Sequence, residues 1–187
     1  AVNIPVALTA TICSIIGSAI GSRAATVTSE YVIHLSVIFI TPLVLILFLL
    51  KDIILPERKN YNKPDHRTIV IYSVLTGVFI GFYDGFFGPG TGTFMTIAFN
   101  SLIGLDLVTA SGTARLCNLG SNLGSLIIFL SNNKVLFPLA VFTAISGIAG
   151  NLIGSSLALK KGARIIKPLI TVVMLLLLLE ILRKRFF

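Results

Sequence analysis

Residues 81 to 92 read Gly-Phe-Tyr-Asp-Gly-Phe-Phe-Gly-Pro-Gly-Thr-Gly, five glycines and a proline in twelve positions. Each glycine costs a helix about 1 kcal/mol against alanine, and Pro89 removes a donor and clashes with the preceding turn for about 3 more. A helix entering this stretch must break within it. The stretch follows the apolar run Thr68 to Phe87 and leads into Thr93 to Leu105, so the break falls inside apolar surroundings. Freed backbone N–H and C=O groups are tolerated at membrane depth only where protein or a water-filled cavity satisfies them. A helix restarting near Thr93, with Thr91 or Thr93 as cap, would aim unpaired N–H groups and a positive dipole end into that cavity, which favours an anion. Gly88, Gly90 and Gly92 permit close backbone approach to such a ligand.

A kink or a tight loop at the membrane surface is the structural alternative. Asp84 weighs against it, because a carboxylate three residues from the end of an apolar run is expensive unless it faces a polar interior. There it could carry a coupling proton or pair with a basic residue.

The rest of the chain has the composition of a membrane protein. Of 187 residues 55% are hydrophobic, the mean hydropathy is +0.98, and only 22 are Asp, Glu, Lys or Arg. Such a chain is too apolar to cover itself with polar surface in water. Ile4 to Gly21, Val32 to Leu50 and Val135 to Leu159 carry no charge and have the length of membrane spans. Val108 to Leu130 and Ile165 to Leu182 are further spans with polar residues added.

The formal charge of +8 does not indicate nucleic acid, because the basic residues cluster beside apolar runs, where they set membrane orientation. Lys51 to Arg67 reads as a cytoplasmic linker with five basic residues. If the runs on either side cross an equal number of times, Lys134 and Arg183-Lys184-Arg185 share its side. Arg23, Lys160, Lys161, Arg164 and Lys167 then lie opposite. Cys13 and Cys117 sit within apolar runs, away from any metal-ligand spacing, and read as small core residues.

An offset of 133 residues lays Gly17-Ser18-Ala19-Ile20-Gly21-Ser22 over Gly150-Asn151-Leu152-Ile153-Gly154-Ser155 with four matches. Internal repeats are a common way to build secondary transporters, with the substrate site between the halves. The expected architecture is an all-α, polytopic transmembrane helix bundle with a glycine-rich broken or re-entrant helix and a two-fold internal repeat whose first copy is incomplete. Residues 1–50 are the C-terminal part of the first repeat, with two transmembrane helices, and 51–67 the linker. The second repeat is 68–187, with a broken helix at 68–105 and spans at 108–130, 135–159 and 165–182. The counterpart of 68–131 is expected before residue 1, as about 70 to 80 further residues.

A second polar feature is the stripe Ser111, Arg115, Asn118, Asn122 and Ser125, spaced four, three, four and three, which puts all five on one helical face. A polar ribbon on an apolar helix is expected to look inward. Arg115 costs about 2.5 to 3.5 kcal/mol if it reaches the bilayer centre, so it needs an anionic partner, either Asp84 or a bound anion. Its planar fork suits carboxylate, sulfonate or sulfite oxygens. Asp106 reads as the cap of a helix starting near Leu107.

The motif at 81–92 closely resembles the signature of the sulfite exporter TauE/SafE family, particularly its YfcA-type branch. Thr109-Ala110, Arg115, Asn118, Ser121-Asn122, Lys134-Val135, Lys161-Gly162 and Ile166-Lys167-Pro168 are similar to that branch as well, which often has Lys where Arg115 stands. The resemblance implies about eight spans in two related halves, each opened by a glycine-rich broken segment. It also implies transport of small anions such as sulfite or organosulfonates across the bacterial inner membrane.

The function expected is that of a secondary carrier, an exporter by resemblance alone, for a small anionic solute in the lipid bilayer, coupled to a proton or sodium ion and working without a cofactor. The residues expected at its site are Asp84, Gly88, Gly90, Thr91, Gly92, Thr93, Ser111, Arg115, Asn118 and Asn122. No Gly-x-x-x-x-Gly-Lys-Ser/Thr loop for ATP is present. A homo-oligomer is compatible with the sequence, and a membrane scaffold without a substrate is the main alternative. An intramembrane aspartyl enzyme using Asp84 and Asp106 is disfavoured, because the second Asp lacks a preceding Gly-x-Gly.

Overall fold

In the computed structural model the structure describes residues 2–54, 64–161 and Val172. Most of the linker, the expected span at 165–182 and the basic tail lie outside the described residues. Among the described residues there are six α-helices: α1 (Ile4–Val27), α2 (Glu30–Ile54), α3 (His66–Phe86), α4 (Thr91–Ala98), α5 (Leu107–Ser131) and α6 (Phe137–Lys161). A π-helical turn, Phe99–Ile103, extends α4. Among the described residues there is no strand, and the chain is a helical bundle of membrane type.

The bundle is held by small residues. Helices immersed in lipid gain nothing from the hydrophobic effect on meeting each other, so close backbone approach and hydrogen bonds must bind them. Ala10, Ser14 and Ser18 of α1 face Gly77, Gly81 and Gly85 of α3, so closely that a Cβ on any of the three glycines would come within 2.1 to 2.7 Å of an α1 carbonyl oxygen. Gly17 and Gly21 return the contact on Val78 and Phe82. On α5, Gly120 takes Thr11, and Gly124 takes Ile15 and Ser18. Hydroxyls add bonds across these seams, with Ser14 donating to the Cys117 carbonyl at 2.8 Å.

The pairings run in the same direction along all three helices. Asn3 at the head of α1 donates its N–H to the Thr113 hydroxyl near the head of α5 at 3.2 Å, and Arg23 near the tail donates to Asn132 just past the tail of α5. Thus α1, α3 and α5 are parallel. The 67-residue offset that pairs Gly85 with Ser18 sets Phe86 level with Ala19, eight residues short of the α1 end at Val27, or roughly 12 Å. The chain then turns back. Met95, Phe99 and Ile103 are buried in a core with Val6, Ala10, Ala110, Ala114 and Cys117, and Ile69 and Tyr72 of α3 pack against it. Gly104 and Leu105 line a cavity of about 340 Å³ with Asn3 and His66, at the heads of α1 and α3.

The segment from His66 to Leu105 therefore enters the bundle, breaks and leaves by the end at which it entered. This corrects two expectations. Gly81 and Gly85 do not break the helix; they are packing positions within α3, and the break is confined to Phe87–Gly90. Because that segment makes no crossing, α5 carries the chain to the other end, so Lys134 lies with Arg23 and opposite the head of α3.

The 133-residue offset also relates the helix starts, α1 at Ile4 and α6 at Phe137. Their surroundings differ: a Cβ at Gly150 or Gly154 would meet nothing within 4 Å, unlike Gly17 and Gly21.

Candidate functional site

Pro89 decides the local structure at the break. The carbonyl of Gly85, in the last turn of α3, would take its bond from residue 89, and proline has no N–H to give. Ser22 of α1 supplies the missing donor, with its hydroxyl 3.0 Å from that oxygen in a buried position. The chain then reverses through Gly88 (φ +86°) and Gly90 (φ +84°), left-handed positions that suit glycine. Gly90 is doubly constrained, since a Cβ there would lie 2.5 Å from a methyl of Val44 on α2. Tyr83 closes the turn by donating its phenol to the Pro89 carbonyl at 2.6 Å and sets its ring edge-on to Phe94, 5.2 Å away.

α4 restarts with Gly90 as its cap residue and without a side-chain cap. The expected capping role of Thr91 or Thr93 is thus corrected. Thr91 is the first helical residue, is buried, and turns its hydroxyl back to Asp84 Oδ1 and the Gly88 carbonyl, each at 2.7 Å. The Thr93 N–H is taken up by the Gly90 carbonyl at 2.9 Å. Among the described residues the Gly92 N–H has no backbone partner, and it lies at the positive end of α4.

Asp84 is the hub of the site. Its second carboxyl oxygen is hydrogen-bonded to the hydroxyl of Ser121 on α5, which also lies 3.0 Å from the Asn118 carbonyl. Asp84 therefore ties α3, α4 and α5 together through two hydroxyls. Of the two partners open to Arg115, Asp84 is not the one it meets: among the described residues Asp84 meets no basic group, and Arg115 is exposed on α5.

The polar stripe on α5 is also placed differently from expectation. The buried face of α5 is Ala110, Thr113, Ala114, Cys117, Gly120, Ser121 and Gly124. Asn122 lies two residues from both packing glycines, about 200° around the helix, and is exposed like Arg115, while Ser111, Asn118 and Ser125 sit half-buried at the edge. The stripe was turned outward because Gly120 and Gly124 claim the contact with α1. Asn122 donates to the Asn118 side chain at 3.0 Å, and Asn118 in turn faces the head of α4, 3.7 Å from where a Gly92 Cβ would be.

The structure thus brings Asp84, Gly88, Thr91, Gly92, Asn118 and Asn122 together, with Arg115 one turn along α5 from Asn118. Ser111 stands apart, ten residues before Ser121, about 15 Å along the helix. Ser121 and Ser22 are partners of the break that the sequence pattern did not single out in that role. Their signal was present in the four-residue spacing Ser14, Ser18, Ser22 and in Ser121 lying next to the stripe, but neither spacing names the partner helix.

Asp106 plays a separate role. It caps α5 by accepting the Thr109 N–H at 3.0 Å, as expected, and the Thr109 hydrogen bonds hold its carboxyl below the usual carboxylate range. Fifteen residues of chain, roughly 22 Å of helix, separate it from the Ser121 level where Asp84 sits. The two aspartates do not form a catalytic pair.

A family model described as Sulfite exporter TauE/SafE matches residues 1–181. A probable membrane transporter protein of a Sinorhizobium species, ORF9, is 31% identical over 181 residues, covering 97% of this chain and 68% of its own length. The probable membrane transporter protein YfcA of Escherichia coli K12 is 31% identical over 154 residues, 82% of this chain and 57% of its own. A probable membrane transporter protein of Haemophilus influenzae is 32% identical over 117 residues, 63% of this chain and 46% of its own. The chain thus spans about half to two thirds of the length of these relatives. No solved structure matches it.

Proposed function

This chain belongs to the sulfite exporter TauE/SafE family, and we propose that it supplies the anion-handling wall of a secondary membrane transporter for a small anion such as sulfite or an organosulfonate. One observation carries the reading: the head of α4, whose Gly92 N–H has no backbone partner among the described residues, faces Asn118, and Asn118 is one turn from Arg115, which is exposed and unpaired among those residues. A helix N-terminus and a guanidinium offer two complementary means of holding an oxyanion, one by dipole and N–H groups, the other by a planar fork. Asn118 and Asn122 add side-chain amide donors between them. An arginine with no carboxylate beside it among the described residues is costly against lipid, so this face of α5 suits a water-filled pathway.

In this reading the carrier resides in the bacterial inner membrane, works as an exporter and draws energy from an ion gradient. The test is transport in vesicles by the full-length protein over a panel of sulfur oxyanions and carboxylates. Arg115→Gln abolishes transport while the protein remains folded, and Arg115→Lys retains part of it. Undiminished transport by Arg115→Gln would remove Arg115 from the site.

A further inference from the structure

Resting on the transport reading above, we propose that Asp84 is a proton-binding site, protonated in this conformation, and that one proton binds with one anion. Three features of its surroundings support this.

The first is the absence of a counter-charge. Asp84 lies level with α1 residues well inside the bundle, half-buried. On α3 the titratable neighbour is Tyr83, whose phenol is engaged with Pro89. α4 has no titratable side chain. On α5 Arg115 is exposed and makes no ion pair among the described residues, and Cys117 is turned to Thr11 on α1. On α1, Arg23 is bonded to Asn132 at the far end, and Cys13 faces Gly77. An ionised Asp84 would be an unpaired charge at membrane depth, and a neutral acid would not.

The second is the chemistry of the two partners. Thr91 and Ser121 are hydroxyls, which can donate or accept. A carboxylate meant to stay ionised is best met by obligate donors such as N–H groups or guanidinium; a carboxyl that exchanges a proton needs partners able to reverse.

The third is that the reversal is already built in. Each hydroxyl has a second acceptor in reach, the Gly88 carbonyl for Thr91 at 2.7 Å and the Asn118 carbonyl for Ser121 at 3.0 Å. With Asp84 ionised, Ser121 gives its proton to Oδ2. With Asp84 protonated, Oδ2–H donates to Ser121 Oγ and the Ser121 proton turns to the Asn118 carbonyl, while Thr91 continues to donate to Oδ1. Heavy atoms stay in place and every proton keeps an acceptor.

The link to the anion follows from position. Thr91 adjoins Gly92, and Ser121 lies one turn from Asn118, so a negative Asp84 would stand beside the anion-binding groups and repel the ligand. Proton and anion therefore bind together.

Two measurements on the full-length protein test this. Infrared spectroscopy without any anion should show a carboxylic acid C=O band at neutral pH that Asp84→Asn removes and Ser121→Ala shifts in frequency. Binding of methanesulfonate, whose charge does not vary with pH, should weaken by about tenfold per pH unit above the Asp84 pKa and become independent of pH in Asp84→Asn. If Asp84→Asn does not fold, the Ser121→Ala shift alone identifies the band. A wild-type spectrum without such a band overturns the proposal, as does a band that appears only on removing sodium, which would make Asp84 a cation ligand. A band at Asp84 with pH-independent binding overturns the coupling. The infrared result needs no substrate, so it stands apart from any failure of the transport reading.

Discussion

The break between α3 and α4 depends on a hydroxyl that belongs to another helix. Pro89 deprives the Gly85 carbonyl of its donor, and Ser22 on α1 replaces it. Ser22→Ala leaves that buried carbonyl unsatisfied, at a cost of about 1 to 3 kcal/mol, and should lower the melting temperature of the detergent-solubilised protein while Ser22→Thr retains most of it. An unchanged melting temperature for Ser22→Ala would remove Ser22 from the account. At this scale the sequence disclosed the glycines, the proline and Asp84, since backbone cost and membrane burial are local properties. It did not disclose Ser22 or Ser121 as partners, because each is brought to the break by the packing of a separate helix. Arg115 and Asp84 illustrate the same limit: opposite charges in neighbouring helices suggest a pair, yet the rotation of α5 about its axis is set by Gly120 and Gly124, and it points Arg115 elsewhere.

Among the elements, the helices were legible from the lengths of the apolar runs, and α1, α2, α5 and α6 overlap the runs Ile4 to Gly21, Val32 to Leu50, Val108 to Leu130 and Val135 to Leu159. The role of glycine was less so. Glycine weakens a helix in isolation and permits close helix packing in a membrane, and periodicity separates the two uses. Gly77, Gly81 and Gly85 recur every four residues and form a seam, whereas Gly88 and Gly90 flank a proline and take positive φ. Gly85→Ala would place a Cβ 2.1 Å from the Ser18 carbonyl oxygen, forcing α1 and α3 apart. Overpacking of this kind costs about 1 to 3 kcal/mol. Gly92→Ala meets nothing closer than 3.7 Å and should leave stability unchanged. Thermal unfolding of the two variants side by side checks the contrast, and equal effects would contradict the proposed seam.

For the molecule as a whole, the return of α4 toward the head of α3 sets the topology. A count of apolar runs puts Lys134 on the linker side; the parallel arrangement of α1, α3 and α5 puts it on the opposite one, beside Arg23. Impermeant thiol labelling of Arg67→Cys and Lys134→Cys in sealed vesicles should therefore modify the two from opposite sides, and labelling from one side would restore the simple count. The same topology leaves the Arg115 face of α5 open, and the proposed function requires that face to be wet. Its most direct test is Asn118→Cys and Asn122→Cys in the full-length protein with Cys13 and Cys117 replaced by alanine. Both thiols should react in intact membranes with a charged, water-soluble reagent, and sulfite or methanesulfonate should slow the reaction. Thiols that stay unreactive, as on a lipid-facing surface, or that react at a rate no anion alters, would contradict an anion pathway between the broken helix and α5.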